Sequence, residues 1–164
     1  MQYMNKAYLL IGGNMGNRLQ NLGRSVELLG RHGKVTELSG LYETEAWGKT
    51  DQSAFLNQAL LIETPLAARE LLHAVLAIEE EMGRKRAEKF GPRIIDIDIL
   101  FYNSVVIREP GLSVPHPEIQ NRRFALEPLQ EIAAGFEHPV FKKSISQLLK
   151  ECTDALKVKK LSDP

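Results

Sequence analysis

Residues 94–101 read Ile-Ile-Asp-Ile-Asp-Ile-Leu-Phe. In an extended strand successive side chains alternate between faces. Ile95, Ile97, Ile99 and Phe101 then share one face, which must be the core, while Asp96 and Asp98 share the other, between Ile94 and Leu100. Residues two apart on a strand are separated by ~6.6–7 Å at Cα, so both carboxylates can converge on one point. At ~5 Å and an effective dielectric of ~20, two such anions repel by roughly 3 kcal/mol. That conflict needs a compensator: water, a shared proton, neighbouring cations or a metal ion. Bulk water is the ordinary answer for an arbitrary Asp-x-Asp, but the wholly apolar opposite face marks an interior strand. A pair of oxygen donors, completed by waters and phosphates, is what Mg²⁺ prefers, and no His stands at zinc-type spacing.

Directly before this strand, residues 84–93 are Arg-Lys-Arg-Ala-Glu-Lys-Phe-Gly-Pro-Arg, five cations and one anion. A charged loop is ordinarily solvated, and its first cations also suit a helix C-terminus. Beside two acids, however, it matches the needs of a magnesium–polyphosphate complex, in which guanidinium forks bind the oxygens that the metal leaves free. Gly91-Pro92 fixes where Arg93 points, and the segment is expected to be a mobile lid that orders over a nucleotide. Glu79 lies at helical spacing from Leu72, Val75 and Met82, on the border of an apolar stripe. Such a Glu ordinarily reaches out to water; the alternatives are to accept a hydrogen bond from a ligand or to orient a loop arginine.

Other candidates are weaker. Gly12-Gly13-Asn14-Met15-Gly16-Asn17 fits neither G-x-G-x-x-G nor the P-loop pattern and reads as a tight turn. Pro115-His116-Pro117 holds a histidine between two rigid residues, and Arg122-Arg123-Phe124 adds two cations and an aromatic. Trp47, Phe55, Phe90 and Phe124 fall on loops or at segment starts, where an aromatic is a weaker core candidate.

The elements that must position these groups follow from periodicity. Ala7–Ile11 is a short apolar strand ended by Gly12-Gly13. Asn17 caps a helix with Leu19, Leu22, Val26 and Leu29 inward, stopped by Gly30 and Gly33. Lys34–Tyr42 is a strand, Thr44–Ser53 a long loop, and Phe55–Glu63 a further strand. Residues 66–82 form a helix with Leu71, Leu72, Val75, Ile78 and Met82 in one stripe, Pro65 in its first turn and Gly83 past its end. Ile94–Tyr102 completes a βαββαβ order, the split pattern of a ferredoxin-like α+β sandwich with an antiparallel sheet. In that fold helices cover one sheet face and can leave the other available. C-terminal additions comprise a Val105–Ile107 strand, a Pro-Gly turn and helical pieces near 117–132 and 144–156, with a frayed tail after about 157.

Composition sets outer bounds. The 164 residues, 43% hydrophobic and 26% charged, are read as one domain over 1–164. Twenty-one basic residues balance twenty-one acidic ones, which excludes a globally basic nucleic-acid binder and a solvating acidic tail. A four-stranded sheet can also bind single-stranded RNA, but no aromatic-rich strand of that type is present. Cys152 is the lone cysteine, so no intrachain disulfide forms. The apolar run at 7–11 is far below the ~20 residues that span a bilayer. The expectation is a cytoplasmic monomer with no membrane or nucleic-acid partner. A non-enzymatic domain that binds a small ligand on the sheet is the rival to an enzyme.

Gly83-Arg84-x-Arg86, followed by Gly91-Pro92-Arg93-Ile-Ile-Asp96-Ile-Asp98-Ile, resembles the signature of the 6-hydroxymethyl-7,8-dihydropterin pyrophosphokinase family. The likeness continues through Leu9–Gly16, Tyr42-Glu-Thr44, Phe55-Leu-Asn57, Val114-Pro-His116 and Arg122-x-Phe124-x-Leu126-x-Pro128-Leu129. The resemblance implies transfer of pyrophosphate from ATP to the hydroxymethyl group of a reduced pterin, releasing AMP, in folate biosynthesis. It implies that Asp96 and Asp98 hold two Mg²⁺ ions and that Arg84 and Arg93 assist transfer. Glu79, Arg86, Ile99, Ser113, His116 and Arg122 become ATP contacts, and Thr44, Trp47, Phe55, Asn57, Phe90 and Phe124 the pterin pocket. The chain departs from the family pattern at Phe90 (often Trp), Leu76 (Gln in some members), Gly111 (Arg), Glu45 (Pro) and Trp47 (Leu), and in a basic loop one residue shorter than in some relatives.

Overall fold

The computed structural model describes residues 3–45, 53–84 and 92–161. At its centre β1 (Asn5–Gly13) pairs antiparallel with β4 (Phe55–Thr64) on one side and β5 (Asp96–Tyr102) on the other. The far edge of β4 carries β2 (Lys34–Leu38) and β3 (Tyr42–Thr44), so the segment expected as one strand over 34–42 is divided. Ser39 causes the division. Its N–H donates to the Ala59 carbonyl at 2.9 Å, while its hydroxyl accepts from the Ala59 N–H at 2.9 Å. A side-chain oxygen thus replaces a main-chain acceptor in the ladder, and the regular pairing stops there. With β2 and β3 counted as one interrupted strand, the spatial order is fourth-first-third-second, the ferredoxin-like arrangement.

Helices α1 (Arg18–Leu29) and α2 (Ala68–Glu81) cover one face of the sheet. Asn17 caps α1 as expected, its amide oxygen accepting from Gln20 N at 3.0 Å. The inward stripe is rotated from the expected one: Leu22, Ser25, Leu28 and Leu29 are buried, whereas Leu19 is 55% exposed. Pro65 stands ahead of α2 rather than in its first turn, because Glu70 reaches back to the Ala67 N–H at 2.8 Å and starts the helix later. Leu71, Val75 and Ile78 pack from α2 onto Leu9, Ile97 and Ile99. Burying each such side chain stabilises by about 1.5–3 kcal/mol.

The opposite face is not left open. Leu10, Ala59, Leu100 and Phe101 meet Ile119 and two further helices, α3 (Arg123–Ala133) and α4 (Ile145–Glu151), in a second core. Phe101 belongs to this core and not with Ile97 and Ile99, because the β1–β5 register slips: Tyr8 faces Phe101 but Leu9 faces Ile99. Leu100 is the extra, bulged residue, and beyond it every side chain changes face.

The hairpin of β6 (Ile107–Glu109) and β7 (Leu112–Val114) turns through Pro110-Gly111, with Gly111 at φ +76°. It replaces the expected Val105–Ile107 strand, Val105 and Val106 being exposed. Part of the tail expected to fray is paired: β8 (Val158–Lys160) pairs with β3, and Leu161 N donates to Leu41 O at 2.9 Å. Among the described residues no helix is long and apolar enough to cross a membrane.

Candidate active site

The site is built on strand register. Asp96 on β5, Gly12 on β1 and Asn57 on β4 stand directly opposite one another, and one pleat along come Asp98, Leu10 and Ala59. A Cβ on Gly12 would collide with the Asn57 side-chain oxygen. The missing side chain therefore lets the Asn57 amide lie beside the acid pair, and Gly12-Gly13 belong to β1 rather than ending it. Gly13 has a different reason for lacking a side chain: its Cβ would strike the Ile94 carbonyl, where the chain enters β5.

A cavity of about 660 Å³ opens over the part of the sheet that α3 leaves uncovered. Thr44, Phe55, Asn57, Arg93, Asp96, Asp98, Arg122 and Phe124, all expected site residues, line it. Leu10, Gly12, Glu45, Glu118, Asn121, Thr153 and Asp154 complete the wall. Thr44 Oγ1 is buried there with no hydrogen-bond partner among the described residues, the condition of a group that awaits a ligand.

Charge is concentrated at Asp96. Arg84 Nη1 lies 2.7 Å from Asp96 Oδ1 and 2.9 Å from Glu79 Oε2, and Arg93 Nη1 lies 3.2 Å from Asp96 Oδ2. Glu79 also accepts from the Ile97 N–H at 2.7 Å. With 3% exposure Glu79 does not reach water: it ties a loop arginine to the strand that carries the acids. Asp98 has its carboxyl pushed up to about 7, first by burial and then by the charge of Asp96, against the opposing pull of Arg122 and Arg84. Among the described residues, the arginines at hand do not offset what burial and Asp96 do to Asp98.

Arg93 is positioned by Asn14, a residue of the Gly-rich segment expected to form only a tight turn. Asn14 Oδ1 accepts from Arg93 N at 2.9 Å, Asn14 N donates to Arg93 O at 3.0 Å, and Asn14 Nδ2 donates to Ser53 O at 2.9 Å. The Arg93 guanidinium lies 5.8 Å from the centre of the Phe55 ring, and that of Arg122 lies 5.7 Å from the centre of the Phe124 ring. The backbone N–H of His116 donates to Leu100 O at 2.9 Å, and its ring Nδ1 accepts from Glu118 N at 3.1 Å. Burial, then Arg122, lowers its pKa to about 4, so it is neutral with its Nε2 proton free to donate. The Ile99 side chain lies in the core beneath α2, which leaves only its backbone for a ligand, and Ser113 is exposed on β7. Trp47, Arg86 and Phe90, with most of the expected lid, lie outside the described residues.

The donor set fits a magnesium ion. Asp96 and Asp98 share one wall of the cavity and offer oxygen alone. Among the described residues no group of three or more His, Cys, Asp or Glu comes together that could hold a metal by protein ligands alone. A cation held by these two carboxylates would need the rest of its shell from water and phosphate, the donor set that suits Mg²⁺.

Fold and site define a ferredoxin-like protein with a paired-acid centre framed by arginines and a polar, aromatic-lined pocket beside it. Residues 8–134 match the family model described as 7,8-dihydro-6-hydroxymethylpterin-pyrophosphokinase (HPPK). A 2-amino-4-hydroxy-6-hydroxymethyldihydropteridine pyrophosphokinase of Aquifex aeolicus (strain VF5) is 40% identical over 150 residues, which cover 92% of this chain and 94% of the relative. The enzyme of the same name from Bacillus subtilis (strain 168) is 44% identical over 135 residues, 81% of each chain. In structure, the chain superposes on wild-type Plasmodium falciparum HPPK-DHPS crystallised with pterin and p-hydroxybenzoate, with a TM-score of 0.74 and 20% identity. That match covers 91% of this chain and 42% of the longer one and bears on the fold. The chain belongs to the 6-hydroxymethyl-7,8-dihydropterin pyrophosphokinase family, whose members transfer pyrophosphate from ATP to hydroxymethyldihydropterin in folate biosynthesis.

Proposed function

We propose that this chain carries out that transfer as a magnesium-dependent enzyme, with Asp96 and Asp98 as the ligands of two Mg²⁺ ions and ATP as co-substrate. The observation that carries the reading is the placement of two acids in adjacent register rows on one cavity wall, with Asp98 still short of compensating charge. Held by Asp96 and Asp98, Mg²⁺ would supply charge neutralisation for the triphosphate and a lowered pKa for the attacking hydroxyl. The pterin hydroxymethyl oxygen attacks the β-phosphorus in line, and AMP departs with the bridging oxygen. Arg84 and Arg93, both paired with Asp96, transfer to phosphate oxygens as charge builds on them. Glu79 keeps Arg84 within reach throughout. Arg122 and neutral His116 donate to the nucleotide, with Arg86, Ser113 and the backbone of Ile99 as further contacts. Thr44 Oγ1 and the Asn57 amide read the pterin edge; Phe55 and Phe124, with Phe90 and Trp47 from outside the described residues, hold its plane.

A site complete in one copy, in a monomer with a single domain over 1–164, is part of the same proposal. Dependence on ATP fits a cytoplasmic location. The test is AMP release from ATP with reduced pterin present or omitted, with and without Mg²⁺. Release that needs all three components, and falls about 10²–10³-fold in both Asp96→Ala and Asp98→Ala while the proteins stay folded, supports the reading. Substantial activity in both variants refutes the metal assignment. Salt-sensitive RNA retention with no AMP release would instead make the chain a nucleic-acid module.

A further inference from the structure

The family match ends at residue 134, yet Thr153 and Asp154 line the cavity. Helix α3, which begins beside Arg122 and Phe124, has no cap of its own. Its N-cap is Arg122, whose side chain offers no acceptor, and there is no acid in its first turn. The first N–H groups of a helix need outside partners. One is met from the distant C-terminal segment: Asp154 Oδ2 accepts from Arg123 N at 3.1 Å. The carboxylate is itself held, since Asp154 Oδ1 accepts from Leu156 N at 3.0 Å. Arg123 closes the clamp in the other direction, donating from Nε to Asp154 O at 3.1 Å and from Nη2 to Cys152 O at 2.9 Å. The segment is fastened at both ends, by buried Cys152 in the second core and by the pairing of β8 with β3.

We propose that Asp154 is a positioning residue for the substrate cavity: by capping α3 from the C-terminal segment it fixes where Arg122 and Phe124 face the bound substrates. The proposal rests on the pyrophosphokinase reading for its substrates but on the Asp154–Arg123 clamp for its geometry. Loss of the clamp frees the first turn of α3, and displacements of about 1 Å there are enough to weaken binding.

The test compares the parent with Asp154→Ala, Asp154→Asn, Arg123→Ala and Lys160→Ala. Lys160 serves as control because it lies on the same C-terminal segment and pairs with Glu131 of α3, but does not line the cavity. Steady-state AMP release gives KM for ATP and pterin separately from kcat, and calorimetry gives the affinity for a non-hydrolysable ATP analogue with Mg²⁺. The expected result is a rise of about tenfold in at least one KM for Asp154→Ala and Arg123→Ala, with kcat within about threefold. Asp154→Asn, which keeps one amide oxygen as acceptor, falls between. Lys160→Ala lowers the melting temperature without moving either KM. If Asp154→Ala does not fold, Asp154→Asn and Arg123→Ala decide. KM values and analogue affinity within twofold of the parent, or shifts that Lys160→Ala reproduces, overturn the proposal. A parent that releases no AMP overturns the pyrophosphokinase reading instead, and analogue affinity still decides the role of Asp154.

Discussion

Replacing Glu79 tests how the anionic centre is held together. Its side chain is 4% exposed and that of Arg84 12%, so their 2.9 Å contact is sheltered from solvent. The same carboxylate accepts from Ile97 N at 2.7 Å. A hydrogen bond to a charged group nets about 1.5–3 kcal/mol, and breaking a buried ion pair by removing one partner costs about 3–5 kcal/mol. Glu79→Gln keeps an acceptor for Ile97 but no charge, and Arg84 retains Asp96 at 2.7 Å, so a loss of about 1–2 kcal/mol is expected. Glu79→Ala takes the acceptor from the Ile97 N–H, leaves Arg84 with Asp96 in place of two carboxylates, and opens a void, so its loss is about 4 kcal/mol. Urea denaturation in EDTA, with midpoints compared at constant slope, measures both. Combined with Arg84→Ala in a double-mutant cycle, the pair should show a coupling energy above about 1 kcal/mol. An alanine variant within about 1 kcal/mol of the parent would refute the reasoning, since no buried tether can be so cheap to cut.

The register predicts opposite outcomes for two neighbouring glycines. Gly12→Ala displaces the Asn57 side chain, so pterin affinity drops at least about tenfold while the fold survives; Gly13→Ala meets the Ile94 carbonyl and lowers stability by about 2 kcal/mol or more. Pterin titrations and melting curves separate them, and indistinguishable variants would contradict the register argument. Arg93→Ala should lower kcat much more than affinity for MgATP, as single-turnover kinetics against equilibrium binding can show; a loss confined to affinity excludes a role in the transition state. In metal-free protein the pH profile carries two opposed slopes. His116, at about 4 folded against 6.5 unfolded, makes stability fall as pH drops between those values, because the unfolded chain binds the extra proton. Asp98, at about 7 folded against 3.8 unfolded, makes stability fall as pH rises between those values, because the folded chain holds the extra proton. Asp98→Asn should therefore gain on the order of 2 kcal/mol from pH 4 to 6.5 and His116→Asn lose a similar amount from pH 4 to 7, by urea unfolding at each pH. Parallel profiles in the two variants would contradict both assignments.

What the sequence made legible was what a few neighbouring residues decide. The alternation that puts Asp96 and Asp98 on one face, the Asn17 cap and the stripe of α2 are all properties of a single segment, and each stands in the fold. Features set by a partner far along the chain were not legible. The bulge at Leu100 is imposed by pairing with β1, and it moves Phe101 to the other core. Ser39 interrupts its strand only because Ala59 lies opposite. Gly12-Gly13 resembled a turn because nothing local reveals that Asn57 and Ile94 crowd them. Half the cavity wall was legible through the family signature, but Thr153 and Asp154 come from a stretch without motif, where only the contact of Asp154 with Arg123 ties the stretch to the site. For Glu79, the border position on α2 left an outward reach, a ligand contact and a loop arginine as alternatives. The part-buried Arg84 and the N–H of Ile97 select the arginine.

The irregularity at Leu100 divides one ribbon into two stretches that answer to different neighbours. Excising that single amino acid would leave Asp96 against Gly12 and Asp98 against Leu10, while Phe101 and Tyr102 exchanged sides. The acid-bearing stretch can therefore stay fixed while the other is renegotiated with whatever packs against it, so sequence drift in the second core need not disturb the chemistry.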